Sequence, residues 1–239
     1  RRRHTRYIGD WSSDVCSSDL LRHYAADMTS RREQILEIAA DLFARRGFHG
    51  VSVADLGAAC GISGPALYKH FASKDALLAE MLVSISERLL AVATDRVARA
   101  EGADAALAAL VDWHVDFALR HRPLIVVQDR DWESLPRDAR ERVRSLQRSY
   151  VDVWAERMRE RDADLPLAEA RARAHAAFGL INSTPRSALL PDAAMRDLLA
   201  AMALAALDAA PATSASASGS ASASASGAGG RAPAQVSGT

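Results

Sequence analysis

Residues Ser52–Lys74, SVADLGAACGISGPALYKHFASK, decide the fold. Ser52 and Asp55 have the S-x-x-D spacing of a capping box, which predicts a helix starting at Val53. Val53, Leu56, Gly57 and Cys60 then share one face at i, i+3, i+4 and i+7. Gly61 stands where a helix C-terminus needs a left-handed residue. Ser63 caps the next helix, with Gly64 and Pro65 in its first turn, where a missing N–H costs nothing. Ala66 to Phe71 complete that helix, with Leu67 and Phe71 inward and Tyr68, Lys69 and His70 on the other side. Ser73 caps a third helix beginning near Lys74. Two short helices about a glycine turn, the second polar outward, form the helix-turn-helix pattern.

Three blocks extend the pattern: RREQILEIAADLFARRGFHGVSV before the turn, DLGAACGISGPALYKHF across it and SKDALLAEML after it. Together they run from Ser30 to Leu82, and in that order they resemble the DNA-binding domain of the TetR family of bacterial transcriptional regulators. The resemblance implies that Ser52, Tyr68 and Lys74 contact phosphate. It places Gly64, Pro65, Ala66, Lys69 and His70 where base-edge or nearby backbone contacts fall. The chemistry is compatible: Lys and Tyr donate to phosphate, capped helix N-termini attract anions, and Lys69 suits guanine O6 or N7. On an isolated short helix, Tyr68, Lys69 and His70 would be an ordinary solvated face.

Working outward, every well-formed segment reads as helix. The expected elements are a first helix ending at Gly47, the two of the motif, Lys74–Arg99, Asp104–Arg120, a short one over Leu124–Arg130, Arg137–Arg161, Leu167–Ser183 and Asp192–Asp208. This is an all-α, nine-helix order, and it resembles the TetR architecture. That resemblance implies a DNA-binding unit over 28–74 and a ligand-binding and dimerisation domain over 75–210, whose last two helices pair with those of a second copy. Leu180, Ile181, Leu198, Leu199, Met202, Leu204 and Leu207 supply apolar surface for such a pairing, and Ala170, Ala174, Ala177 and Gly179 permit close helix approach.

The ends read differently. Gly9–Leu20, GDWSSDVCSSDL, back-translates to a string resembling a sequencing-library adapter, and Met28 looks like the start, so residues 1–27 are expected to be a non-native scar. Residues 211–239 are almost entirely Ala, Ser and Gly, too poor in large apolar groups to offset ordering entropy, and are expected to be disordered.

Thirty basic and thirty acidic side chains leave no charge extreme that names a partner. From Ser30 to Lys74 six basic residues face four acidic ones, a net +2. Cys16 falls in the expected scar and Cys60 on an apolar face, so neither a disulfide framework nor a metal-ligand cluster is expected. No apolar run is long enough to cross a membrane, and a soluble cytoplasmic protein is expected. No nucleophile, acid–base pair, P-loop or dinucleotide fingerprint is present, so neither an enzyme nor a cofactor is expected. The alternative to a regulator is a helical small-molecule carrier whose DNA-binding unit has lost its function.

Trp113, His114, Phe117, His121, Gln128, Arg130, Trp132, Phe178 and Asn182 are the candidate pocket residues. Trp113, Phe117 and Phe178 equally suit core packing, and His114 suits a satisfied core histidine. Arg130 either pairs with Asp129, Asp131 or Glu133 or holds an anionic ligand group. The run RHRPLIVVQDRDWESLP and the Arg-rich helix after it, with Tyr150 and Trp154, are similar to TetR-type regulators of acyl-CoA metabolism. That implies an acyl-CoA or similar amphipathic anion, with Arg120, His121, Arg122 and Arg130 meeting its charged end. The arginines at 137, 140, 142, 144 and 148 read as a solvated face. The partners expected overall are double-stranded DNA, a second copy and this effector.

Overall fold

The capping box forms as its spacing requires. Ser52 Oγ accepts the Asp55 N–H at 3.1 Å, and the Ser52 N–H donates to Asp55 Oδ2 at 2.8 Å. Both orphan donors are satisfied, and the carboxylate is held at a pKa of about 2, chiefly by the Ser52 hydroxyl and then by its backbone N–H. Gly61 ends the helix at φ 65°, in the left-handed region. Gly57 is needed for a different reason: a Cβ there would lie 2.8 Å from the Ile62 carbonyl oxygen, so any side chain would force the turn open. Ser63 caps the second helix through the Ala66 N–H, and Ser73 caps the third through Ala76.

These residues lie within a computed structural model that describes residues 31–187 and 189–209. Nine helices follow in the expected order among them: α1 (Arg31–Arg46), α2 (Val53–Cys60), α3 (Gly64–Leu67), α4 (Lys74–Arg99), α5 (Ala103–Arg120), α6 (Arg122–Asp131), α7 (Arg137–Arg161), α8 (Leu167–Ile181) and α9 (Asp192–Asp208). A 3-10 turn at Trp132–Ser134 follows α6, and a single helical turn at Thr184–Ser187 precedes α9. The described residues contain no strand, and no helix among them is long and apolar enough to cross a membrane. The expected scar at 1–27 and the tail at 211–239 lie outside the described residues.

Two apolar cores share α4. The first joins Ile35, Phe43, Leu56, Cys60, Leu67 and Phe71 to Leu77, Leu78 and Leu82 of α4, and also takes in Val127 of α6 and Val143 of α7. Burial pushes the Cys60 thiol pKa up, as for a core residue. The second core packs the later part of α4 with α5 to α9 around the fully buried Trp154 and Met158. Elements α6 and α7 therefore touch both halves.

Three boundaries differ from the periodicity by two residues or more. The regular part of α3 stops at Leu67, because Lys69 and His70 N–H groups reach back only three residues, to Ala66 and Leu67. Helix α6 starts at Arg122, since Pro123 lies in its first turn where no N–H is needed. Helix α8 stops at Ile181, and Thr184 begins the next turn by donating its hydroxyl to the Ala118 carbonyl at 2.9 Å.

Candidate functional site

The outer face of the helix-turn-helix carries Pro65, Tyr68 and Lys69 exposed, with Gly64, Ala66 and His70 half-buried beside them. Tyr68 leaves 54 % of its surface open, while its neighbour Leu67 is buried. A hydroxyl, an ammonium and the capped start of α3 thus look outward from one surface. Ser52 and Lys74 also have structural duties. The Ser52 hydroxyl donates to Asp55 at 2.6 Å. Lys74 Nζ donates to the Phe48 and Val51 carbonyls at 2.9 Å each and lies over the Phe48 ring, leaving one N–H for any other acceptor.

Behind this unit, α6 is latched to α1. Arg130 Nη1 donates to the Ala44 carbonyl at 3.0 Å and Nη2 to the Phe43 carbonyl, capping the C-terminal end of α1. Arg130 also pairs with Asp131 at 3.0 Å, and the buried Asp131 accepts the Phe48 N–H at 3.3 Å. Ser134 and His49 add a contact at 3.0 Å between the turn after α6 and the turn after α1.

On the opposite side of α6, Leu124, Ile125, Gln128 and Asp129 line a cavity of ≈ 250 Å³, whose other walls come from α4, α5, α7 and α8. Of the candidate residues, His114, Phe117, Phe178 and Asn182 also line it. His114 is buried, stacks on Phe178 and Tyr150, and its Nδ1 lies 3.0 Å from the Tyr150 hydroxyl. Burial holds its pKa down at about 4, with Asn182 acting weakly the other way, so the ring is neutral near pH 7. Burial raises that of Tyr150. His114 and Tyr150 therefore give one part of the wall an uncharged imidazole–phenol pair among aromatic rings.

The other four candidates lie elsewhere. Trp113 meets Arg96 at 5.5 Å, Trp132 packs on the first core beneath Arg144, and the His121 ring lies tilted against Phe117 outside the cavity lining. Arg130 belongs to the latch. Arg120, Arg122 and Arg130, expected to meet the charged end, pair with Asp116, Asp192 and Asp131. Sequence reasoning passed over Ser86, Gln147 and His175, which line the cavity. Gln147 and His175 are polar residues on otherwise solvated helix faces, and no periodicity marks them.

The last two helices also present an outward face. Ala170, Ala174 and Ala177, expected to serve a partner, are fully buried within the chain. The exposed small residues are instead Ala168, Ala172, Ala176 and Gly179 on α8, beside an exposed stripe of Ala194, Leu198, Ala201, Met202 and Ala205 on α9. Ile181, Leu199 and Leu207 turn inward, and Leu180 and Leu204 are half-buried.

Residues 35–81 match the family model for bacterial regulatory proteins of the tetR family, and residues 100–186 match that for the tetracyclin repressor-like C-terminal domain. The two cover more than half of the chain. The transcriptional repressor KstR2 of Mycobacterium tuberculosis is 40% identical over 67 residues, 28% of this chain and 34% of that protein. KstR2 of Rhodococcus jostii is 31% identical over 134 residues, 54% of this chain and 66% of that protein. The aligned stretches thus span one third to two thirds of these relatives. Among solved structures, AibR in complex with isovaleryl coenzyme A and operator DNA superposes with a TM-score of 0.57 at 20% identity, over 72% of this chain and 97% of that one. FadR of Bacillus subtilis in complex with stearoyl-CoA does so with 0.59 at 15%, over 73% and 95%. At these identities the likeness is one of fold.

Proposed function

The chain belongs to the TetR family of bacterial regulatory proteins, and from that premise we propose that it is a ligand-responsive repressor that binds an inverted-repeat operator as a homodimer. Its outward α3 enters the major groove of each half-site, with Tyr68 on phosphate and Lys69 toward base edges. The effector is an acyl-CoA or similar amphipathic anion, of the class that AibR and FadR of Bacillus subtilis hold in their complexes. It occupies the cavity, and its binding releases the operator.

The observation that carries this reading is that one helix does two things. Element α6 walls the cavity with Leu124, Ile125 and Gln128 and, through Arg130 and Asp131, holds the end of α1. A ligand pressing on α6 bears directly on the DNA-binding unit. Such a ligand acts only through a difference in affinity between the two states of the dimer.

The test is selection of bound duplexes from a random library, repeated with acyl-CoAs of varied chain length. The expected result is an inverted repeat whose affinity falls on adding ligand. Absence of any preferred duplex would overturn the regulator reading in favour of a helical carrier, and an affinity unchanged at saturation for every chain length would overturn the effector.

A further inference from the structure

We propose that the depression between α7 and α8 lined by Arg144, Arg148, Arg171 and His175 receives the phosphate-bearing head of the effector, while the adjoining cavity takes its apolar part. The inference rests on the effector reading and adds a location that the sequence had placed elsewhere.

The two hollows adjoin, sharing lining residues. Gln147, Val151 and His175 line both, so a ligand leaving the aromatic cavity passes over them onto the arginines. Along α7, Arg144, Gln147, Arg148 and Val151 stand at i, i+3, i+4 and i+7, on one face. The two arginines are neighbours on that face, about 5–6 Å apart at Cβ, a spacing that suits a diphosphate better than a single carboxylate.

Their charge state sets them apart. Elsewhere on α7, Arg137 pairs with Glu141, Arg140 with Glu133, Arg142 with Glu87, Arg157 with Glu160 and Arg161 with Asp104 and Asp208, while Arg159 donates to the Leu165 carbonyl at 3.1 Å, away from the depression. Arg144 and Arg148 have no carboxylate partner among the described residues, although a like-charged i, i+4 pair repels and gains from an anion. Arg144 is held by its position over the Trp132 ring at 5.4 Å. Arg171 is neutralised by Asp152 at 2.7 Å, which also lines the depression and raises the Arg171 pKa. The uncompensated charge is therefore that of Arg144 and Arg148, facing a mouth that leads to an apolar interior.

The experiment measures binding of decanoyl-coenzyme A, free coenzyme A and decanoate to the full chain and to Arg144→Gln/Arg148→Gln, with Arg148→Gln alone as a variant that keeps the Trp132 contact. The expected result is a loss of decanoyl-coenzyme A affinity on the order of three- to tenfold in the double variant, less in the single one, with decanoate unaffected. Raising the ionic strength should weaken the native chain's binding of decanoyl-coenzyme A and erase the difference from the variant. Equal affinity in native and double variant, at matched melting temperatures, would overturn the head site while leaving the effector reading standing. Binding of decanoate but not of decanoyl-coenzyme A by the native chain would also overturn it. No binding of any acyl compound would remove the effector reading and this inference together.

Discussion

His114 is a neutral ring that resists protonation because it is buried among aromatic rings. Its folded-state pKa of about 4 lies below the roughly 6.5 of an unfolded chain. Between those values the unfolded chain binds a proton that the folded one does not, so lowering the pH favours unfolding. The contribution is complete above about pH 6.5 and is lost as the pH falls toward 4. In His114→Phe/Tyr150→Phe, which replaces both partners by apolar groups, this part of the slope should vanish. Denaturant melts from pH 7 to pH 4 check it, and an unchanged slope would point to another group. At the face proposed to meet DNA, Tyr68→Phe should weaken binding to all duplexes by about 0.5–1.5 kcal/mol, the worth of one hydrogen bond. Lys69→Ala should change base preference instead. Equal loss across all duplexes would make Lys69 a phosphate contact. Arg130 shows why some residues mislead. In the sequence it stands between Asp129 and Asp131, which suggests a local pair or an anion site. Its further partners are the carbonyls of Phe43 and Ala44, more than eighty residues away, and no local pattern announces an acceptor on the backbone.

At the scale of the element, the DNA-binding unit was legible because its signals are local. Ser52, Asp55, Gly61, Ser63 and Ser73 each fix a boundary through a hydrogen bond or a backbone angle within three residues. The Asp55 cap also has a pH signature. Its contribution is present above the unfolded value of about 3.9 and lost as the pH falls toward the folded value of about 2. Ser52→Ala should cost roughly 1 kcal/mol and raise hydrogen exchange in α2 before α7. The α8 face was not legible, since alanines occupy both its inward and outward positions and leave no hydrophobic contrast. Only packing against α7 and α9 separates Ala170, Ala174 and Ala177 from Ala168, Ala172 and Ala176. For α6 the prediction is one of coupling. Arg130→Ala removes the cap on α1 and the partner of buried Asp131. With the guanidinium 41% exposed, the expected stability loss is about 1–2 kcal/mol rather than the larger figure for a buried pair. The effector-induced change in operator affinity should shrink by more than either separate binding constant changes. Linked titration of ligand and duplex measures this, and an unchanged coupling energy would show that α6 is not the connection.

At the scale of the molecule, the outward face of α8 and α9 bears on whether one chain suffices. Leu198 and Met202 are 45% and 46% exposed on a stripe otherwise of alanine, beside small residues of α8 over which a second helix pair can come close. Two helices of a lone chain gain nothing from such a face in water, whereas two copies related by a two-fold axis bury it against itself. A two-fold dimer in turn sets the two α3 helices at a fixed spacing, which is what an inverted repeat reads. Met202→Glu places a charge at the centre of that stripe without touching the inward Leu199 and Ala203. It should yield folded monomers by light scattering, with unchanged helicity and operator binding reduced by on the order of tenfold or more, because each half-site is then bound without its neighbour. A dimer persisting in this variant at micromolar concentration would place the interface elsewhere. Monomers that bind the full operator as tightly as the native chain would mean that each α3 finds its half-site independently.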